Sequence, residues 1–178
     1  MAWDQPVPAA EFHRVPERLT EVFGFLNTLD ERTFGGRQPD DELAQWLRRH
    51  GTPSPADVTL ARELRAVLRE VTTANRTGSL PDPVAARLAA LGEHLPLHAD
   101  GRLSLRGAGE GVRGALADVL ATVVLTAADG TWQRLKSCGA PDCGWVFYDH
   151  SKPHNARWCS TAGCGNRMKT RAYRHRRS

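Results

Sequence analysis

Four cysteines, Cys138, Cys143, Cys159 and Cys164, fall in the last quarter of this 178-residue chain, spaced C-x4-C-x15-C-x4-C. Two close pairs separated by a short insert is the spacing of a tetrahedral metal site, in which each pair forms one knuckle. The expectation is one structural Zn2+ per chain with these four thiolates as ligands. Two disulfides or four buried thiols are the competing accounts. The N-terminal Met1-Ala2-Trp3-Asp4-Gln5-Pro6 lacks the basic-then-apolar pattern of a secretory signal. A cytoplasmic location with reduced thiols is therefore expected, which disfavours disulfides. His150 and His154 lie in the insert and could replace a cysteine, although exposed loop histidines are the plainer account. Four thiolates leave no open coordination position, so the site is structural and not a Lewis-acid catalyst.

The second chemical feature is charge. The chain carries a formal +4, but the split is uneven. From Thr131 onward there are ten Lys/Arg against Asp142 and Asp149, while the preceding part is net acidic. That asymmetry points to a polyanion partner for the C-terminal segment. A helix is expected from Gly165 to Arg177. On it Met168, Ala172 and His175 share a narrow stripe, and Arg167, Lys169, Arg171, Arg174, Arg176 and Arg177 occupy the remaining faces. Arginine suits bidentate contact with phosphate or guanine, so these six are candidate contacts to duplex DNA, with Tyr173 able to touch sugar or base. Arg157, Arg167 and Lys169 could instead neutralise the zinc thiolates.

These features need elements to position them. Leu19, Val22, Phe23, Leu26 and Leu29 predict a helix over 17–29. Asp40 can cap a second helix with Leu43, Trp46 and Leu47 inward. Ser54-Pro55 opens a third, with Val58, Ala61, Leu64, Leu68 and Val71 on one stripe and Gly78 past its end. Asp82-Pro83 opens a fourth through Leu91. Leu95, Leu97, Leu103 and Leu105 alternate around Asp100-Gly101, which predicts a hairpin. A fifth helix over 110–128 has Val112, Leu116, Val119, Leu120, Val123 and Val124 apolar, and is expected to be the central buried one. The Gly107–Gly111 stretch is expected to be a linker. In the cysteine segment, Trp145-Val146-Phe147-Tyr148 and Ala156-Arg157-Trp158-Cys159 are expected to pair as a hairpin before the basic helix, a treble-clef-like order. The fold class is therefore mainly α: a helical N-terminal domain with one small β-hairpin over 1–133, and a small zinc module of β-hairpin and helix over 134–178. The helical domain is expected to hold a core of its own. No apolar run long enough to span a membrane is seen.

Cys143-Gly144-Trp145-Val146-Phe147, Arg157-Trp158-Cys159-Ser160 and Cys164-Gly165-Asn166-Arg167 together resemble the CGNR zinc finger family of bacteria, with the naming tetrad intact and a basic run after it. Phe25-Leu26-Asn27-Thr28-Leu29-Asp30 is similar to the Asn-Thr signature of the ABATE domain, the α-rich domain that precedes this finger. The two resemblances cover nearly the whole chain. They imply a stress-induced transcription regulator in which the four cysteines hold zinc, the finger binds DNA and the N-terminal domain senses a signal. Asn27 and Thr28 are candidate ligand-pocket residues on this view. The alternative is that they hydrogen-bond backbone groups and fix the helix orientation.

Three function classes follow. The first is a zinc-dependent DNA-binding regulator, with a homodimer or an unidentified small-molecule effector serving its N-terminal domain. The second is an RNA- or ribosome-associated zinc protein, in which Trp145, Phe147, Tyr148 and Trp158 stack bases. The third is an enzyme in the helical part. It lacks a nucleophile–base signature, a second metal constellation and a nucleotide loop, and His94 and His98 beside Glu93 and Asp100 are better explained as residues bordering a turn. No enzymatic activity is expected.

Overall fold

A computed structural model describes residues 15–99 and 104–177. The expected Asp100-Gly101 turn lies outside them. The chain is mainly helical, with three small antiparallel hairpins among the described residues.

The first predicted helix is shorter than its apolar spacing suggested. A 3-10 turn, Glu17–Leu19, leads into α1, Thr20–Leu26. Leu29 lies instead in β1, Leu29–Asp30, which pairs with β2, Asp40–Asp41. This hairpin escaped the sequence because two-residue strands carry no alternation to detect. Helix α2, Leu43–Arg48, follows; Asp41 rather than Asp40 accepts from its first amide, that of Leu43, at 3.0 Å.

Helix α3, Pro55–Thr77, starts at a reciprocal cap. Ser54 Oγ accepts from the Asp57 amide at 3.2 Å, and the Asp57 carboxylate accepts from the Ser54 amide at 2.9 Å. Gly78, at φ 81°, ends it. Two faces of α3 are buried. One is the expected stripe of Ala61, Leu64, Leu68 and Val71. The other is polar, with Arg65, Arg69 and Thr72. Helix α4, Asp82–His94, lies beside it, joined by Arg87 to Glu63 and Glu70.

Strands β3, Leu97–Ala99, and β4, Leu105–Gly107, form the predicted hairpin. It lies on α5, Gly111–Ala128. Gly107 belongs to β4 and is no linker residue. A Cβ there would sit 2.5 Å from the Asp118 nitrogen and 2.6 Å from the Ala117 Cβ, so strand and helix backbones approach directly. Val112, Leu116, Val119, Leu120 and Val123 are buried as expected. Val124 is not. One residue further round the helix, it is 46% exposed beside Leu125 at 45%. By length and composition α5 could cross a membrane, but half of it is packed inside this fold, as the central helix of a core.

The C-terminal hairpin differs from expectation. Its first strand is β5, Leu135–Ser137, paired with β6, Val146–Tyr148, in the register Leu135 to Tyr148 and Ser137 to Val146. The 156–159 segment forms no strand; its Arg157 carbonyl accepts from the Gly139 amide at 2.9 Å. Leu135 and Val146 are fully buried in the same apolar cluster as Phe25, Leu68 and Leu116. The helical part therefore has no core separate from this hairpin. The polar residues just upstream of the first cysteine, Lys136 and Ser137, hid the strand. A wide helical turn, Thr161–Gly165, then precedes the last helix, α6, Asn166–His175.

Candidate metal centre and nucleic-acid interface

β5 delivers Cys138, and the turn through Asp142 delivers Cys143. The Cys138 amide donates to the Trp145 carbonyl at 2.8 Å, and the Cys143 amide to the Ala140 carbonyl at 3.1 Å. Gly144, at φ 62°, lets the chain reverse directly after the ligand. The second knuckle is the wide turn. Ser160 Oγ accepts from the Gly163 amide at 3.1 Å, and the Ser160 carbonyl from the Gly165 amide at 2.9 Å.

All four Sγ atoms lie within 4.8 Å of one another. Cys143 and Cys159 are 3.8 Å apart, and Cys159 and Cys164 3.6 Å. A tetrahedron with Zn–S bonds of ~2.3 Å has sulfur–sulfur edges of ~3.8 Å. The donor set and its spacing thus fit one structural zinc ion. All four cysteines are free thiols, three of them buried and Cys159 half-buried. Neither His150 nor His154 belongs to the cluster: His150 packs its ring against Tyr148, and His154 contacts Arg134.

The four sulfurs lie close enough to shift one another's ionisation in opposite directions. Hydrogen bonding from Cys143 pulls Cys138 down to about 7, and acceptance from Cys138 pulls Cys164 down. Cys143 and Cys159, chiefly through Cys138, are pushed up. Zinc would take the place of those protons.

A small apolar shell surrounds the centre: Ala140 and Phe147 are buried with the cysteines, and Phe34, Trp145, Trp158 and Met168 pack against them. Phe34 comes from the β1–β2 loop, so the helical part contributes to the shell. The polar face of α3 does so too. Arg69 donates to the carbonyls of Leu26 at 2.9 Å and Gly144 at 2.9 Å. Thr72 shares a 2.7 Å hydrogen bond with Ser137, Asn75 donates to the Leu135 carbonyl at 2.9 Å, and Arg76 to that of Ser137 at 3.0 Å. These side chains recur at helical spacing along one face. Arg69, Asn75 and Arg76 satisfy carbonyls of the first knuckle and β5 that would otherwise lack these donors.

The insert between the knuckles is fixed by a buried ion pair. Lys136 Nζ lies 2.7 Å from Asp149 Oδ2, and that carboxylate also accepts from the Ser151 and Ala156 amides, each at 2.9 Å. Burial alone would raise the Asp149 pKa, but Lys136 and the donors from Ser151 and Ala156 outweigh it and hold the group at about 2. Sequence patterning did not reveal this pair or the α3 arginines. The one signal it carried was that Asp149 is one of only two acids among the many bases of the segment.

Asn27 and Thr28 are both hydrogen-bonded within the chain. The Asn27 carboxamide accepts from the Val146 amide and donates to the Val146 carbonyl, each at 3.0 Å, and so acts as a one-residue strand along the outer edge of β6. Thr28 Oγ1 donates to the Phe25 carbonyl at 2.7 Å and accepts from Arg65 at 2.8 Å, while Arg65 grips Asp41 with two nitrogens. Thr28 also borders a shallow depression with Gly24, Gln45 and Arg49. A different cleft, about 230 Å³, lies where Phe23 of α1 faces Phe147, Tyr148 and Trp158.

Helix α6 has no buried residue. Lys169, Arg171, Arg174, Arg176 and Arg177 are all exposed, and Tyr173 is 51% exposed with Arg177 hydrogen-bonded to its hydroxyl at 2.6 Å. Arg167 is different. It is ion-paired with Asp142, donates to Cys164 Sγ at 3.2 Å, and stacks 3.9 Å from the centre of the Phe34 ring. Arg167 and Lys136 thus engage both acids of the segment, and five of its eight remaining bases are the exposed Lys169, Arg171 and Arg174 of α6 and Arg176 and Arg177 directly after it.

Residues 134–177 match the family model for the CGNR zinc finger. Residues 22–133 match that for ABATE, described as "Putative stress-induced transcription regulator". Neither is an enzyme family. No curated protein matches the chain.

Proposed function

We propose, from the premise that this chain belongs to the ABATE family and ends in a CGNR zinc finger, that it is a transcription regulator that binds duplex DNA through α6. The observation that carries this reading is α6 itself: a helix with no buried residue, whose Lys169, Arg171 and Arg174, with Arg176 and Arg177 directly after it, are exposed on a zinc-braced base. Its ten residues span ~15 Å, enough to lie along a major groove. In the proposed division of labour, residues 1–133 sense or dimerise and residues 134–178 read DNA.

A single helix on a small module covers little DNA. Sequence preference then calls for two copies or an added contact, and a homodimer is the simplest source. A small-molecule effector would best enter the cleft between Phe23 and Trp158, since its walls come from both parts of the chain. The proposed compartment is the cytoplasm, where the four thiols remain available to zinc.

Titrating zinc-loaded full-length protein against labelled duplex DNA over a range of salt tests the reading. Each phosphate contact adds a slope of about −0.9 in log–log form, so four contacts give roughly −3 to −4 per chain. Changing Arg171 and Arg174 together to Ala should reduce the slope by about 2 with zinc content unchanged. Absence of duplex binding at low salt sinks the proposal, and tight binding of structured RNA in its place favours the RNA-associated class.

A further inference from the structure

We infer that Arg167 is a positioning residue that clamps the zinc centre and the start of α6 to the β1–β2 loop of the helical part, and that it does not read DNA. The clamp stands on its own geometry; only its consequence for DNA rests on the reading above.

The guanidinium is engaged on its edge and its face at once. One nitrogen pairs with Asp142 of the first knuckle, and another donates to Cys164 Sγ of the second at 3.2 Å. Its face lies over Phe34 of the β1–β2 loop, 3.9 Å from the ring centre. Three segments far apart in sequence thus meet on one planar cation. A zinc ion with four thiolates carries net negative charge, so a cation donating to one sulfur stabilises the loaded state. Lysine could supply the charge but neither the planar stack nor the fork of donors.

The loop is built to depend on this contact. Two further ties of the loop go to the first knuckle: the Thr33 amide donates to the Asp142 carbonyl at 3.1 Å, and Arg32 lies 4.2 Å over the Trp145 ring; Glu31, before them, pairs with Arg69 of α3. Phe34 is followed by Gly35 and Gly36, at φ 70° and 76°, with open space around both. A phenylalanine next to two glycines is held by what its ring touches more than by its backbone. Arg167 is the second residue of α6. Fixing it sets where the basic helix leaves the metal, and so how the exposed cations from Lys169 onward are aimed relative to the helical part. A change in the β1–β2 loop would reach α6 by this path.

The test uses the full-length zinc-loaded chain with three readouts: the rate of zinc transfer to a chromophoric chelator, amide exchange across residues 31–37, and the salt slope on duplex DNA. Arg167→Lys should speed zinc transfer about tenfold, the scale expected when a ligand's hydrogen-bond partner is lost, and should speed exchange in the loop. Phe34→Ala, made from the opposite side, should do the same. The double variant should be little worse than the more severe single one, because both remove one contact. Arg167→Gln should leave the salt slope as it was, whereas Arg171→Ala with Arg174→Ala should lower it and leave zinc transfer and exchange unchanged. Wild-type zinc transfer and exchange in both Arg167→Lys and Phe34→Ala would overturn the clamp. So would a slope reduced by about 1 in Arg167→Gln, since that marks a phosphate contact. If the parent protein binds no duplex DNA, the DNA reading fails, and zinc transfer and exchange still decide the clamp.

Discussion

Asn27 shows how much one side chain can decide. A carboxamide has a donor and an acceptor held in the same arrangement as a peptide group, and here it pairs with both backbone groups of Val146. It thereby closes an edge of β6 that no strand among the described residues covers, and ties α1 to the cysteine segment. Its replacement by Ala leaves a part-buried N–H and C=O unpaired. The expected loss is about 2–3 kcal/mol in urea unfolding of the zinc-loaded protein. Asn27→Asp keeps the acceptor but sets a carboxylate against the Val146 carbonyl, so it should be at least as damaging. A change below about 0.5 kcal/mol, the range of ordinary surface substitutions, would show that the residue serves something other than this edge. The polar pair stood out in the sequence because it interrupts an apolar helix. Its partner, 119 positions away, could not be read there.

At the scale of elements, α3 and α5 organise the molecule by different means. α3 buries an apolar face against the other helices and a polar one against β5 and the first knuckle, where Arg69, Asn75 and Arg76 act as donors and Thr72 shares a hydrogen bond with Ser137. The stripe of leucines and valines announced the apolar face. The polar face is indistinguishable in sequence from an ordinary solvated one, because charged residues are usually exposed. α5 is apolar on most sides, and β4 can lie on it only because Gly107 has no side chain. Gly107→Ala should therefore destabilise by about 1–3 kcal/mol through overpacking. Gly92→Ala provides the contrast: it sits within α4 with nothing near its missing Cβ, and should be neutral or stabilise by up to about 1 kcal/mol. Thermal melts of the two variants check the pair, and equal melting points would refute the account of β4 packing.

For the whole molecule, the consequence is coupling. Leu135 and Val146 lie in the main apolar core, although the chain between them holds two of the four cysteines. Zinc loss therefore releases strands that the helical part needs, and the expected outcome is one cooperative transition. If coupling is worth about 3 kcal/mol, stripping zinc with a chelator should lower the melting temperature of the helical signal by roughly 6–12 °C. A helical melt that ignores the chelator would mean that the two parts fold independently after all.

The metal site was legible in the sequence because four cysteines at short, paired spacing have few other uses, and knuckle geometry is local. The long helices were legible for the same reason: capping at Ser54 and periodicity along α3 and α5 act within a few turns. The basic character of α6 follows from composition alone. Tertiary structure decided the rest. It chose 135–137 over 156–159 as the partner of β6, because Leu135 could enter the core and the later segment had to return to the metal. It turned Arg167 inward, since a thiolate, a carboxylate and an aromatic face from three segments meet only in the folded chain. Local pattern records which side chains can do a given chemistry; which of them are left to do it depends on partners brought together across more than a hundred residues.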